Sequence, residues 1–189
     1  MSWRFHIIVR PSRGTSFEPG QVRKEAAIRK KSLCGGFIFM NEHDFIRRAM
    51  ELAKMAQKEG EVPVGAVVTF EGRIIGEGYN HRERDKDISS HAEIIALKEA
   101  AKSRGDWRLN GCSLFVTLEP CLMCSGAILQ SRISSLYFGA RDEKEGAVLS
   151  RYFVFDEPYS QERPLIHPDF HREECELLLK NFFENKRTK

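Results

Sequence analysis

Two short strings hold residue types that can bind a metal and move a proton: His91-Ala92-Glu93, and Pro120-Cys121-Leu122-Met123-Cys124. With six His and twenty Glu in 189 residues, H-x-E arises by chance about 0.6 times and says little alone. Seven Pro and five Cys put the chance expectation for P-C-x-x-C at about 0.005, so that string carries the weight. One imidazole and two thiolates suit zinc, and three protein ligands leave the fourth tetrahedral position open to water. Such a water ionises near neutral pH and becomes a hydroxide nucleophile. Glu93, two residues past the histidine, is not needed to complete the ligand set. It is placed to take the water's proton and return it to a leaving group.

Other uses of these residues remain open at this point. A C-x-x-C can be a redox pair, but His91 and Glu93 then have no role and no thioredoxin-like βαβ start is present. It can also be half of a structural zinc site, which needs a fourth protein ligand. Cys34, Cys112 and Cys175 are available, without paired spacing. Cys112 and Cys175 read better as small buried residues, and His6, His43, His81, His167 and His171 as solvated ones.

These residues must be positioned by regular structure, and from Asn41 the pattern is regular. Phe45, Ile46, Ala49, Leu52, Ala53 and Ala56 recur at helical spacing and predict a helix ending at Gly60. Val64–Phe70 and Arg73–Tyr79 flank Glu71-Gly72 as a hairpin. A polar loop, 80–90, leads to a helix at about 91–103, with Ser89 or Ser90 as N-cap. A strand follows at Cys112–Thr117, a helix at Cys121–Ser131, and a strand at Ser134–Phe138. The stretch 142–170 reads as loop with a short helix at 146–154, and a last amphipathic helix runs from Arg172 to Glu184. The two chemical strings thus fall at helix starts, where the positive end of the helix dipole favours ligating thiolates. The order α-β-β-α-β-α-β-α predicts a mixed sheet with helices on both faces.

Residues 1–39 read differently: Gly, Pro, Ser and Arg with no persistent apolar period, and at most a short helix at 22–31. The first 40 residues hold eight Lys/Arg against two Glu, a balance of +6 that exceeds the net +3 of the whole chain. The remainder therefore balances at −3, and the overall basicity is no argument for nucleic-acid binding. This leader reads either as a targeting segment or as an upstream start before a natural Met40, and the compositional break favours the second. No apolar run is long enough to span a membrane, and an odd cysteine count fits a reducing compartment. The expectation is a soluble cytoplasmic protein: a basic extension, 1–39, and one domain, 40–189.

Reading outward from the two strings, further text accumulates: Glu61-Val-Pro-Val-Gly-Ala-Val67, Gly76-Glu-Gly-Tyr-Asn80, Val116-Thr-Leu-Glu-Pro120 and Phe138-Gly-Ala-Arg-Asp142. Over about residues 41–187 the sequence resembles the zinc-dependent nucleoside and nucleobase deaminases, for which H-x-E…P-C-x-x-C is the established signature. Within that family it is most similar to the bacterial tRNA adenosine deaminases, which convert the wobble adenosine of an arginine tRNA to inosine. The resemblance implies a three-layer α/β/α sandwich with a mixed sheet of about five strands, cytidine deaminase-like, and a homodimer. It implies zinc on His91, Cys121 and Cys124, and Glu93 as proton shuttle. It places Asn80, the backbone of Ala92, Val64 and Leu118 around the base. Arg141, Asp142 and Lys144 would hold flanking nucleotides, and Phe182, Phe183 and Arg187 would face the anticodon loop. Tyr79 stands where the family commonly has Trp, and 147–163 departs from the family's text. The rival readings are a deaminase of a free base or nucleotide (guanine, cytosine or dCMP) and a non-catalytic zinc-binding module.

Overall fold

A computed structural model describes residues 40–156 and 163–187. The helix expected at 22–31 lies outside the described residues. Helix α1, Glu42–Lys58, starts at a reciprocal cap: Asn41 Oδ1 accepts from the Asp44 amide at 3.1 Å, and Asp44 Oδ2 from the Asn41 amide at 3.0 Å. This satisfies two otherwise orphaned donors of the first turn. Strands β1, Gly65–Phe70, and β2, Arg73–Tyr79, form the expected antiparallel hairpin. Then come α2, Arg82–Asp85; α3, Ala92–Arg104; β3, Ser113–Leu118; α4, Leu122–Ser131; β4, Ser135–Ala140; β5, Leu165–His167; and α5, Arg172–Arg187.

The sheet order is β2-β1-β3-β4-β5, antiparallel at β2-β1-β3 and parallel at β3-β4-β5. Side chains alternate between its faces, as the two-residue period of a strand requires. Ala66, Val68, Leu114, Val116, Leu136 and Phe138 meet α3 and α4 through Ala92, Ala96, Ala100, Ile128 and Leu129. Val67 and Phe115 meet α1 through Phe45, Ile46, Ala49 and Leu52, while Cys175 of α5 closes over Gly139 of β4. The three layers are those the sequence predicts.

Small residues set how closely the layers approach. A Cβ on Gly76 or Gly78 of β2 would overlap the Ala96 or Ala92 carbonyl, so α3 lies with its backbone almost on the strand. Its first turn, carrying the His91-Ala92-Glu93 string, is fixed relative to the strand that leads into Asn80.

Several expectations need correction. Helix α3 is N-capped by His91, not Ser89 or Ser90, and no side chain caps it by hydrogen bond. The loop 80–90 contains α2, whose Arg84 amide donates to Glu61, 23 residues away. The helix expected at 146–154 is replaced by turns and a 3-10 turn at Val154–Asp156, because the amides of Val148, Leu149 and Ser150 bond to Glu119 instead of to the preceding turn. β5 is hidden among the prolines, and α5 continues past Glu184 to Arg187. The histidines are less solvated than expected. His167 stacks on Tyr137 at 4.0 Å between ring centroids, and His81 meets Tyr79 edge-on at the same separation.

Candidate metal centre and active site

The site lies at the sheet edge where β2 and β3 end and β1 begins. Asn80 follows β2, Cys121 follows β3, and Arg141–Ser150 follows β4. Loops at the carboxyl ends of parallel strands are the usual place for a ligand in such sheets. Helices α3 and α4 both start here, with His91 and Cys121 as their N-caps.

His91, Cys121 and Cys124 form the one group of metal-binding side chains among the described residues, with their donor atoms all within 4.8 Å of one another. Cys112 and Cys175 are buried elsewhere, as expected. His91 Nδ1 lies 3.7 Å from Cys121 Sγ and 3.5 Å from Cys124 Sγ. Zinc–sulfur bonds of about 2.3 Å and zinc–nitrogen bonds of about 2.0–2.1 Å at a tetrahedral angle require N···S separations of about 3.5–3.6 Å. The donor set therefore fits zinc in both chemistry and spacing.

Protonation points the same way. As bare side chains the two cysteines divide one proton: a hydrogen bond from Cys124, opposed by burial and helped by His91, lowers Cys121 to about 4. The same hydrogen bond, and then burial, pushes the Cys124 thiol far up. A dication at the centre removes this conflict, because it favours both thiolates.

A cavity of about 610 Å³ opens beside the trio and is lined by His91, Cys121, Ala92, Glu93, Asn80, Val64 and Leu118. Glu93 is 4% exposed, and burial is the main cause holding its carboxyl above the usual range. The outer wall comes from Arg141, Asp142 and Lys144 and from Leu179 and Phe183 of α5. Glu83, Glu143 and Glu145 line it alongside Arg82, Arg141 and Lys144, so the rim is mixed in charge.

The outer residues predicted from the sequence divide. The Arg141 guanidinium is committed to Asp169 by two hydrogen bonds, 2.9 and 2.7 Å, leaving it little freedom toward a nucleotide. Asp142 Oδ1 accepts from the Lys144 and Glu145 amides and shapes the turn. Phe183 is 47% exposed at the cavity, whereas Phe182 is 5% exposed and absent from the cavity wall. The Phe182 ring lies edge to face against Phe183, at 5.3 Å between centroids, and Phe183 is the one of the pair at the cavity. Arg187 is exposed at the end of α5 and does not line the cavity.

Two buried glutamates that line the cavity were not singled out by the sequence. Glu61, 2% exposed, accepts from Asn80 Nδ2 at 3.2 Å and from the Arg84 amide at 2.7 Å. Glu119, also 2% exposed, accepts from the amides of Asp142, Val148, Leu149 and Ser150 and from the Ser150 hydroxyl. Burial pushes Glu119 up, but the amide and hydroxyl donors outweigh it and hold the carboxyl below its ordinary value. Both lie in strings that carry the resemblance, yet a glutamate gives no local sign that it is buried.

A layered α/β/α sheet with a His/Cys/Cys centre at two helix starts and a buried glutamate beside it defines a zinc-dependent deaminase. The family model for the cytidine and deoxycytidylate deaminase zinc-binding region matches residues 40–140. The tRNA-specific adenosine deaminase of Haemophilus influenzae is 46% identical over 147 residues, covering 77% of this chain and 85% of that protein. The chain belongs to this zinc-dependent deaminase family and, within it, to the tRNA-specific adenosine deaminases. A solved structure from a study of A-to-I editing by tRNA:A34 deaminases at the wobble position superposes with a TM-score of 0.69 at 38% identity, covering 71% of this chain and 98% of that one. A guanine deaminase of Bacillus subtilis superposes less well, with a TM-score of 0.55 at 32% identity, covering 67% and 84%.

Proposed function

We propose that this protein hydrolyses the wobble adenosine of a tRNA anticodon to inosine, releasing ammonia. The observation that carries the chemistry is the convergence of His91, Cys121 and Cys124 with buried Glu93 on one cavity. The substrate follows from the kinship to tRNA-specific adenosine deaminases over most of both chains.

His91, Cys121 and Cys124 hold the zinc, and the starts of α3 and α4 direct positive dipole ends toward the thiolates. Zinc bound there supplies the Lewis acidity that makes water a nucleophile near neutral pH. Glu93 takes the proton that water gives up and passes it to the departing amine at C6, a task that suits a carboxyl whose burial favours its protonated form. Asn80, the Ala92 backbone, Val64 and Leu118 surround the base, and Lys144 and Phe183 meet the flanking nucleotides. A base in an anticodon loop is swung out at small cost, since it gives up little stacking.

The deaminase unit is residues 40–189, preceded by a basic extension. It acts as a homodimer in the cytoplasm, in keeping with its family. Among the described residues no helix is long and apolar enough to cross a membrane. The test is incubation of the purified protein with total tRNA and, separately, with free adenosine, guanine and cytosine, reading inosine and ammonia. Inosine in an adenosine-wobble tRNA, with binding that weakens as salt rises, supports the reading. Ammonia from a free base with no inosine in any tRNA installs the free-base deaminase instead.

A further inference from the structure

We propose that Glu61 is a positioning residue, which fixes the amide of Asn80 so that its carbonyl oxygen faces the cavity and accepts a hydrogen bond from the substrate. The proposal rests on the deaminase reading above and assigns the polarity of one pocket wall.

Glu61 lies between α1 and β1, is 2% exposed and still lines the cavity. A buried carboxylate needs donors, and among the described residues its oxygens meet two. Oε1 accepts from the Arg84 backbone amide and Oε2 from Asn80 Nδ2. The Arg84 guanidinium is turned away, to Glu59 and Asp85, so among the described residues no side-chain cation pairs with Glu61. Because both carboxylate oxygens act as acceptors, the part of the Asn80 amide turned toward Glu61 must be its NH2 group. The amide cannot flip without setting oxygen against oxygen.

The rest of Asn80 is held as firmly. Its backbone amide donates to the Val64 carbonyl at 3.0 Å, and its position after β2 is set by the close contact of that strand with α3. Among the described residues no protein donor meets Oδ1, and that atom is not among the buried unpartnered ones. Asn80 therefore offers the cavity Oδ1 as its acceptor, beside the second hydrogen of Nδ2 that Glu61 does not take. The ring nitrogens that adenine presents are acceptors, which pair with the second Nδ2 hydrogen and not with Oδ1; the exocyclic 6-amino group pairs with Oδ1, and so does a ribose 2′-hydroxyl. The shared chemistry is a hydrogen-bond donor. A pocket whose wall polarity is locked this way discriminates by leaving a mismatched polar group unpaired.

The alternative is that Glu61 merely anchors α2 through the Arg84 amide. A polarity swap separates the two. Zinc content, melting temperature, kcat and KM are measured on a stem-loop RNA with a wobble adenosine. Asn80→Asp sets a second carboxylate beside Glu61 and is expected to lower kcat/KM by about 100-fold or more. Adding Glu61→Gln supplies a donor to the carboxylate introduced at position 80, whose other oxygen again faces the cavity as acceptor. The double variant should recover about 10-fold or more of that loss. A double variant no better than Asn80→Asp alone overturns the proposal.

Should the swapped protein fail to fold, a second cycle decides: Glu61→Gln should cost about 10-fold in the wild-type background and less than about twofold in Asn80→Ala. An equal cost in both backgrounds makes Glu61 structural and overturns the proposal. Repeating Asn80→Ala with 2′-deoxyadenosine at the wobble position identifies the donor. A smaller penalty there assigns it to the ribose and an undiminished one to the 6-amino group, both consistent with an acceptor at Oδ1. If the wild type makes no inosine but deaminates a free base, the tRNA reading fails, and the same swap on that base still tests Glu61.

Discussion

The backbone of Gly78 lies against the carbonyl of Ala92 so closely that a Cβ at position 78 would overlap it. Two residues later, just past the end of the strand, stands Asn80, and one residue before Ala92 stands His91. The glycine thus couples the pocket's amide to a metal-binding imidazole through main-chain contact alone. Gly78→Ala should force α3 away from β2 and lower stability by about 1–3 kcal/mol, the usual cost of overpacking. Because the displaced turn carries His91, zinc affinity should fall with it. Thermal melting followed by zinc content of the folded fraction checks both effects.

The metal-binding residues and the proton shuttle should separate cleanly. Cys121→Ser or Cys124→Ser should lose zinc and stability together, since thiolate binding contributes to folding. Glu93→Gln should keep zinc and RNA affinity while kcat falls by about 10²–10⁴, the range for removal of a general acid–base group. Metal analysis beside single-turnover deamination tests the assignment. Full zinc occupancy in Cys121→Ser, or zinc loss in Glu93→Gln, reverses the roles.

How far the site was legible depends on what kind of constraint each residue answers to. Metal binding restricts residue type and spacing so tightly that the trio is visible in the text, and the period of Phe45, Ile46, Ala49 and Leu52 makes α1 visible too. Glu61 and Glu119 are invisible for the opposite reason. Glu61 meets Asn80, 19 residues away, and Glu119 meets the Val148 and Leu149 amides, 29 and 30 away. Those pairings exist once the sheet has brought the loops together. β5 is three residues long, and its Leu165 is 62% exposed, so no alternation reveals it. Tertiary hydrogen bonding also decided the 146–154 stretch, whose amides Glu119 draws into turns.

Glu119 makes that loop's stability dependent on pH. Its carboxyl is held below its ordinary value in the fold, so the carboxylate is favoured in the folded state over the unfolded one. The resulting stability is fully present above the unfolded carboxyl's value, about 4.3, and is lost as pH falls through the lower folded value. Glu119→Gln presents amide hydrogens to backbone donors and should cost about 1–3 kcal/mol at neutral pH, the penalty for unsatisfied buried groups. Denaturant titrations from pH 7 down to pH 3 should show the gap between wild type and variant narrowing at the acid end. A gap independent of pH would mean that the carboxylate's charge contributes nothing.

Phe182 and Phe183 are neighbours in sequence whose rings meet edge to face at 5.3 Å between centroids, yet they differ in exposure. Phe182 is 5% exposed and has the Lys186 ammonium 4.7 Å over its ring; Phe183 is 47% exposed at the cavity wall. Phe182→Ala should therefore destabilise the protein by about 3 kcal/mol, the lower end for a buried Phe, with kcat and KM of the folded protein near normal. Phe183→Ala should lower the melting temperature less than Phe182→Ala does, since it loses the edge contact with Phe182 and little buried area. It should raise KM for the RNA stem-loop about 10-fold, since stacking a base on an aromatic ring contributes about 1–3 kcal/mol. Free adenosine offers no flanking nucleotide to stack, so any residual activity on it should not respond to Phe183→Ala. Equal losses of RNA affinity from both substitutions would place Phe182 at the RNA as well and undo the division drawn from their exposure.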